Sequence, residues 1–183
     1  IAKKINADRW TTYDTGGDPT CLLVFGSSTA SGESGLNQGA LNVSSPVQIE
    51  GASWCKIDFG FVSAGIRTDN TLWIWGNNLY GQLAQLDRNH RSSPVQVPGS
   101  DWCDVVVGKE TSQTTVFALK TDNTLWSWGS NFDGEMGIND LTHLAHSSPV
   151  QIPGASWCKM ASGVDSHFAI RTDGSLWAWG AGN

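Results

Sequence analysis

One pentapeptide pattern, Leu-Trp-x-Trp-Gly, recurs along this 183-residue chain. Complete copies occupy residues 72–76, 125–129 and 176–180, and a degraded copy, Leu-Leu-Val-Phe-Gly, occupies residues 22–26. The closing glycines of the four copies are therefore separated by 50, 53 and 51 residues. A fixed period of this length is typical of repeat architectures. The period constrains the fold more strongly than any single motif in the chain.

Each unit contains four strand candidates bounded by turn signals. A short segment that begins with Pro-Val-Gln opens the unit, and a strand that begins with Trp-Cys follows it. The third strand ends in a basic residue and Thr, and the Leu-Trp-x-Trp-Gly strand comes fourth, after an Asp-Asn or Asp-Gly turn. Both dipeptides tolerate positive φ and so favour tight hairpins. The predicted first strands are 46–49, 94–97 and 149–152; the second are 54–60, 102–108 and 157–163; the third end at 66–68, 119–121 and 170–172.

Four short antiparallel strands repeated at this interval predict the blades of a β-propeller. Alternation along a strand places Trp177 and Trp179 on one face and Leu176 and Ala178 on the other. Both faces are apolar, which is expected of a sheet covered on both sides by neighbouring sheets. We therefore predict that the repeat tryptophans form the core between blades. Stacking of a sugar or another ligand on these rings is the alternative.

Charge and cysteine content narrow the classes of function. The formal net charge is −6 and the 11 Lys and Arg are scattered, which argues against nucleic-acid binding. No apolar run reaches the length of a membrane span. Three of the four cysteines follow Trp at equivalent positions, and their spacing does not suit zinc. We expect them to be buried, unpaired and structural, because equivalent positions on stacked sheets are about 10 Å apart.

The loops at one end of the predicted blades vary while the turns at the other end are nearly uniform. Variable loops on a uniform scaffold are where repeat proteins carry binding sites, although exposed loops also drift neutrally. We expect a binding surface at this end, with no catalytic or metal residue assigned. The candidate binding residues are Asn77, Tyr80, Arg88, His90, Lys109, Glu110, Gln113, Asn131, Phe132, Asp133, His143 and His146.

The loop and strand motifs together resemble the regulator of chromosome condensation (RCC1-like) repeat. The resemblance rests on Gly-Ser-Asn-Phe-Asp-Gly-Glu-Met-Gly at 129–137, on Gly76 to Leu83, and on Gly-Val-Asp-Ser-His-Phe-Ala-Ile-Arg-Thr-Asp-Gly at 163–174. It covers about residues 22–183. Only one unit has a histidine at the family's repeat histidine position, and that residue is His167. The resemblance implies a seven-bladed ring, in a family that includes guanine nucleotide exchange factors, enzyme inhibitors, and bacterial and phage proteins.

This chain holds three good repeats and one eroded repeat, which is short of seven. We expect one propeller or propeller fragment over 1–183, with an eroded repeat at 1–43 and repeats at 44–91, 92–146 and 147–183. A piece of a larger ring, or an arc completed by other chains or copies, is favoured over a closed four-bladed ring.

No motif for a reaction or a cofactor is present. Asn131 to Glu135 resembles a calcium loop only superficially, and His143 with His146 lacks a third metal ligand. The expected function is a non-enzymatic scaffold for protein binding or assembly, and the regularity of the units favours a bacterial or phage structural protein, on a virion or outside the cell. A guanine nucleotide exchange factor and a lectin-like module that uses exposed Trp or Tyr80 are the alternatives.

Overall fold

The computed structural model describes residues 23–28, 31–37, 41–49, 53–109, 113–140, 142–164 and 166–180. The predicted strand near Trp10, Cys21 and the candidate residue Glu110 lie outside these residues. The described chain contains thirteen strands and no helix. The strands are β1 (Leu23–Ser28), β2 (Leu41–Gln48), β3 (Trp54–Phe59), β4 (Val62–Arg67), β5 (Leu72–Gly76), β6 (Arg91–Gln96), β7 (Trp102–Val107), β8 (Thr115–Lys120), β9 (Leu125–Gly129), β10 (His146–Gln151), β11 (Trp157–Ser162), β12 (Ser166–Arg171) and β13 (Leu176–Gly180).

These strands form four antiparallel sheets, which we call blades 1 to 4. Blade 1 is β1–β2, blade 2 is β3–β6, blade 3 is β7–β10 and blade 4 is β11–β13. The degraded pentapeptide forms β1, the equivalent of β5, β9 and β13. The all-β architecture with repeated blades is as predicted.

The grouping of strands into sheets differs from the prediction in one respect. The Pro-Val-Gln strand does not pair with the Trp-Cys strand that follows it. Instead β6 pairs with the preceding β5 (Trp73↔Gln96), and β10 pairs with β9 (Val150↔Ser127). The predicted first strand of each unit is therefore the last strand of the preceding blade. The period of the sequence gives the length of the repeat, but it does not show which neighbouring strand a given strand pairs with. The spacing therefore could not reveal this error.

The tryptophans pack between blades as predicted. Trp75 and Trp128 are 1% and 0% exposed, and the first Trp of each of blades 2 to 4 is also buried. Indoles meet edge to face, for example Trp102 with Trp128 at a centroid distance of 6.2 Å. This geometry adds to the stabilisation from area burial. Trp177 is the exception at 45% exposed, because among the described residues no fourth strand covers β13.

The second indole of each pentapeptide also links one blade to the long loop of the blade before it. Trp128 Nε1 donates to Gln82 O at 2.7 Å. Trp75 Nε1 donates to Glu33 O at 2.9 Å, and Trp179 Nε1 donates to Glu135 O at 2.8 Å. Because Glu33, Gln82 and Glu135 occupy the same place in their loops, the link is a property of the repeat.

At the turn end of blades 2 to 4, a cation lies between two indoles. Arg67 Cζ is 3.7 Å from the ring centroid of Trp73 and 4.9 Å from that of Trp54. Lys120 lies between Trp102 and Trp126, and Arg171 between Trp157 and Trp177. Such contacts stabilise by about 0.5–2 kcal/mol each. The basic residue before Thr in each unit therefore has a structural role.

The cysteine prediction was half right. Cys55, Cys103 and Cys158 are unpaired, but all three are exposed rather than buried. The preceding Trp occupies the packed face, so the cysteine side chain turns outward and its Sγ contacts a strand carbonyl, as in Cys103 to Leu119 O at 3.5 Å. Partial desolvation, and then the nearby Asp104 carboxylate, raise the pKa of the Cys103 thiol. All three thiols are therefore surface groups, and the raised pKa lowers the thiolate fraction of Cys103.

Candidate functional site

The variable loops lie together at one end of the blades, which we call the loop face. Backbone hydrogen bonds connect them there: Asn77 N donates to Phe61 O at 3.0 Å, Ser130 N to Thr114 O at 3.3 Å, and Lys109 N to Gly163 O at 3.1 Å. The last of these bonds joins blade 3 to blade 4. The loop face is therefore a continuous surface across neighbouring blades.

A buried asparagine holds each long loop in shape. In blade 2, Asn78 Nδ2 donates to the main-chain oxygens of Asp87 and Asn89, each at 3.1 Å, while Asn78 Oδ1 accepts from Leu83 N at 2.8 Å. The backbone N of Asn78 also donates to His90 Nδ1 at 2.9 Å. Since both ends of one amide are satisfied inside the loop, residues 78–90 form a closed unit rather than a free segment.

Asn131 does the same in blade 3. Its Oδ1 accepts from Met136 N at 3.2 Å and its Nδ2 donates to Asp140 O at 3.2 Å. The Glu135 carboxylate, 3% exposed, accepts from Asp133 N at 2.8 Å and from Ser130 Oγ at 3.3 Å. These contacts assign Glu135 to turn formation. Among the described residues no group of three His, Cys, Asp or Glu is placed to hold a metal ion.

An aromatic pair joins the two long loops. Tyr80 of blade 2 and Phe132 of blade 3 meet edge to face, with a centroid distance of 5.2 Å and an interplanar angle of 86°. Both side chains are half-buried. His143 Nδ1 contacts the backbone oxygen of Phe132 from the exposed side. Three of the predicted residues are thus brought into one cluster.

The remaining predicted residues fall into two groups. Asn77 and Asn131 are buried and hold the loops, and Lys109 forms an ion pair with Asp58 of blade 2, with Nζ 2.6 Å from Oδ1. His146 Nε2 lies 3.2 Å from Asp140 Oδ2. Of the predicted residues, Arg88, His90, Lys109, Gln113, Asp133 and His143 are exposed.

Sequence reasoning missed the exposed leucines of the loop face. Leu79, Leu86 and Leu144 are 47%, 78% and 62% exposed and are neighbours in sequence of predicted residues. Leucine is ordinarily assigned to the core, so composition gives no warning of this exposure. Their position in loops, outside the strand pattern, was the signal in the sequence that could have predicted their exposure.

Two carboxylates form hydrogen bonds and ion pairs where the long loops end. Asp87 accepts from Asn89 N at 2.9 Å and binds Arg91 Nη2 at 2.6 Å. The hydrogen bond from the Asn89 backbone, followed by the Arg91 guanidinium, lowers the pKa of Asp87. Asp140 is the equivalent in blade 3, where hydrogen bonds from Thr142 and then His146 lower its pKa. Both groups therefore remain charged at neutral pH and stabilise the return of the loop to the sheet.

His167 lies beneath the loop face, between blades 3 and 4. It is 1% exposed, its Nδ1 is 2.8 Å from Ser162 Oγ, and its ring is 4.7 Å from that of Phe117. Burial lowers the pKa of His167 to about 4. The imidazole is therefore neutral at pH 7, and no charged form is available there for acid catalysis.

Acidification should destabilise the protein through His167. The unfolded chain binds a proton near pH 6.5 while the folded chain resists it until about pH 4, so stability is full above pH 6.5 and is lost as the pH falls to 4. We expect the free energy of unfolding to drop by up to about 3 kcal/mol over that range. Urea denaturation at several pH values measures this. His167→Val, which copies Val116 of blade 3, should remove most of the dependence, and His143→Val at an exposed site should leave it in place.

The described residues contain no helix long and apolar enough to cross a membrane. Comparison with known proteins finds similarity to proteins with RCC1 repeats. The model of the regulator of chromosome condensation (RCC1) repeat matches residues 69–112. Protein RCC2 of Homo sapiens is 30% identical over 117 residues, which is 63% of this chain and 22% of that protein. The chain thus spans about a fifth of the length of this curated relative.

Two solved structures share the fold. Human WBSCR16 superimposes with a TM-score of 0.75 at 21% identity, over 89% of this chain and 44% of that one. Prp20p of Saccharomyces cerevisiae gives 0.70 at 19% identity, over 88% and 39%. These relatives come from human and yeast, so they give no support to the predicted bacterial or phage origin. The chain therefore contains one segment, 69–112, that matches the RCC1 repeat, and it shares the β-propeller fold of these solved structures.

Proposed function

We propose that this chain is a non-enzymatic propeller module that binds a protein partner through its loop face. The observation that carries the proposal is the Tyr80–Phe132 contact, which joins the loops of two blades into one surface. Exposed Leu79 precedes Tyr80 in sequence, and exposed Leu144 follows His143, which contacts the Phe132 backbone oxygen. Protein interfaces favour an aromatic and apolar centre of this kind.

Rigidity of the loops supports the same function. The Asn78 and Asn131 amides fix their loops from inside, so little conformational freedom would be lost on binding. The exposed Arg88, Gln113 and Asp133 supply the polar surroundings that a specific interface needs. Participation of these residues in binding is part of the proposal, as is the assignment of 1–183 to one propeller or part of one.

The partner chemistry favoured by charge is a basic protein. The chain carries a formal net charge of −6, and opposite net charge speeds association and raises its salt sensitivity. The structure of Prp20p was described with its binding to Gsp1p and histones. Both therefore serve as defined probes for this chain, with histones expected to bind in a salt-dependent manner.

The test compares two charge-matched double variants. Leu79→Asp with Leu144→Asp changes the loop face, while Thr68→Asp with Thr121→Asp changes exposed residues at the turn end. Biolayer interferometry on immobilised histones and on Gsp1p should show binding weakened at least about tenfold by the first pair and little changed by the second. Equal weakening by both pairs, or no binding of either probe, would contradict the proposal.

A regulator of nucleotide exchange is the second candidate, favoured by the fold shared with Prp20p, which binds Gsp1p. The release of a fluorescent GDP analogue from Gsp1p, with and without the chain, tests it directly. Release accelerated well above the spontaneous rate would replace the purely non-enzymatic proposal. The predicted lectin activity and the predicted virion role stay predictions without further support.

A further inference from the structure

Leu86 occupies a position in the long loop where the equivalent loops have asparagine. Four residues after the loop residue that accepts from an indole, blade 1 has Asn37, blade 2 has Leu86 and blade 3 has Asn139. All three have a left-handed backbone, with φ of 57°, 59° and 56°. Asparagine adopts this conformation readily, whereas a bulky apolar residue does so at a cost. Among the described residues, Leu86 is the one large apolar residue at positive φ.

Packing within the chain does not offset this strain. The Leu86 side chain is 78% exposed, so most of its apolar surface remains in water. Only its main chain is used, since Leu86 N donates to Ser147 O at 3.0 Å. Any residue except proline can supply that hydrogen bond. The leucine side chain therefore lowers the stability of the free chain without a contact that requires it.

The preceding position shows that apolar and polar residues are exchanged in blade 2. In blades 1 and 3 the residue before the asparagine is Leu36 or Ile138, and both pack against buried clusters. Blade 2 has Gln85 there, whose Nε2 donates to Leu83 O at 3.0 Å and to Gln96 O at 2.9 Å. The loop of blade 2 therefore places its polar residue against the blade and its apolar residue outward, the reverse of the other two loops.

The exposed leucine lies at the boundary between blades 2 and 3. Its hydrogen bond to Ser147 places it beside the start of β10. Leu144, which is 62% exposed, precedes Ser147 by three positions, so an exposed leucine lies on each side of this boundary. Blades 2 and 3 each have four strands. The exposure of Leu86 is therefore a property of the loop and not of a strand edge.

The exposed charge next to Leu86 is positive. Arg88 is exposed and forms no ion pair with the residues that the structure describes. Asp87, in contrast, is paired with Arg91, whose Nη2 lies 2.6 Å from its Oδ2. A group that covers Leu86 therefore meets an unneutralised guanidinium two residues away.

Charge also selects the kind of molecule that can cover this position. A second copy of the chain is disfavoured, because two chains of net charge −6 repel each other. A protein of opposite net charge is attracted at long range, as the proposed loop-face function requires. At the point of contact, Arg88 favours a carboxylate of that protein, since complementary charges across an interface give specificity.

We propose that Leu86 and Arg88 form a specificity-determining contact of the loop face, in which Leu86 packs on an apolar side chain of the protein partner and Arg88 pairs with a carboxylate beside it. This inference rests on the proposed loop-face function. Backbone strain at an exposed position is characteristic of binding sites. Burial of the leucine in the complex offsets the cost that it imposes on the free chain.

Leu86→Asn separates the two effects of the side chain, because it restores the residue found in blades 1 and 3. We expect the midpoint of urea denaturation to rise as the backbone strain is relieved. Biolayer interferometry on immobilised histones and on Gsp1p should show binding weakened at least about fivefold. A variant that gains stability while it loses affinity has not lost affinity through misfolding.

Two further variants are the controls for this experiment. Leu86→Met keeps an apolar side chain in the same backbone conformation, so its binding should stay within about twofold of that of the unmodified chain. Val47→Asn removes an apolar side chain, 39% exposed, from β2 outside the loop face, and it should leave binding unchanged.

Arg88→Gln tests the carboxylate contact through the sign of its effect. The variant is more negative by one charge, so long-range attraction alone would strengthen binding to histones. We expect binding to weaken at least about threefold instead, because the partner carboxylate loses its cation. Lys159→Gln makes the same change of charge at an exposed lysine of β11 and should not weaken binding.

The outcomes distinguish this inference from the proposed function. Unchanged binding by Leu86→Asn, or a fall in its urea midpoint, would overturn the role of Leu86, and tighter or equal binding of histones by Arg88→Gln would overturn the carboxylate contact. If Leu79→Asp with Leu144→Asp weakens binding while Leu86→Asn does not, the loop face stands and this inference fails. If the unmodified chain binds neither probe, both fail.

Discussion

Replacing Trp128 with alanine should lower the free energy of unfolding by about 3–5 kcal/mol. The indole is 0% exposed, packs against Trp102 and donates to Gln82 O at 2.7 Å, so its removal leaves a large cavity and an unmatched carbonyl. Chemical denaturation followed by far-ultraviolet circular dichroism measures the change without relying on tryptophan emission.

Trp177→Ala is the matched control for that experiment. This indole belongs to the same pentapeptide pattern but is 45% exposed, so its truncation should cost only about 1–2 kcal/mol, mainly from the lost contact with Arg171. Similar losses for the two variants would mean that burial between blades is not what the repeat tryptophans contribute.

Gly81→Ala should destabilise by about 3–5 kcal/mol. The residue has φ 79°, which strains any L side chain, and the added Cβ would stand 2.6 Å from Ser147 Cα. Because the obstacle is backbone rather than a flexible side chain, the strand β10 or the loop must move. The midpoint of urea denaturation should fall accordingly.

Gly134→Ala separates strain from collision. Its φ is 78° and nothing lies within 4 Å of the added Cβ, so only the conformational cost of about 1–2 kcal/mol applies. The difference between the two variants measures the contact between loop and strand in blade 2. Equal losses would show that Ser147 yields freely.

The blade architecture could be predicted because it is specified by local sequence: the Leu-Trp-x-Trp-Gly period gives the repeat, and the Asp-Asn and Asp-Gly turns give the hairpins. Asn70 and Asn123 have φ 62° and 65°, and Gly174 has φ 85°, as those turns require. Strand pairing could not be derived, since the Pro-Val-Gln strand is nearer in sequence to the Trp-Cys strand that follows it, yet it pairs with the strand before the long loop. The ladders of β6 with β5 and of β10 with β9 show the pairing directly.

The candidate site was predictable as a region but not residue by residue. Loop variation in the sequence located the end of the blades where the long loops lie together, and the role of that end in binding stays a prediction. It could not distinguish Asn131, whose amide is consumed inside its own loop, from the exposed Asp133 two positions later. Nor could it show that Leu144 is exposed, because side-chain direction in a loop follows from tertiary contacts that leave no period in the sequence.

The indole-to-carbonyl links have a consequence for how such arrays diversify. Each long loop is fastened at Gln82 or Glu135 by the blade that comes after it, and at its return by Asp87 or Asp140. Past those anchoring contacts, residues 88–90 and 142–144 are exposed. Insertions at these residues, as in the longer loop of blade 3, can change which partner the loop binds while the contacts that hold the loop to the blades are kept. A library of variants at one such loop should therefore change binding specificity without the loss of stability expected when an anchoring residue is replaced.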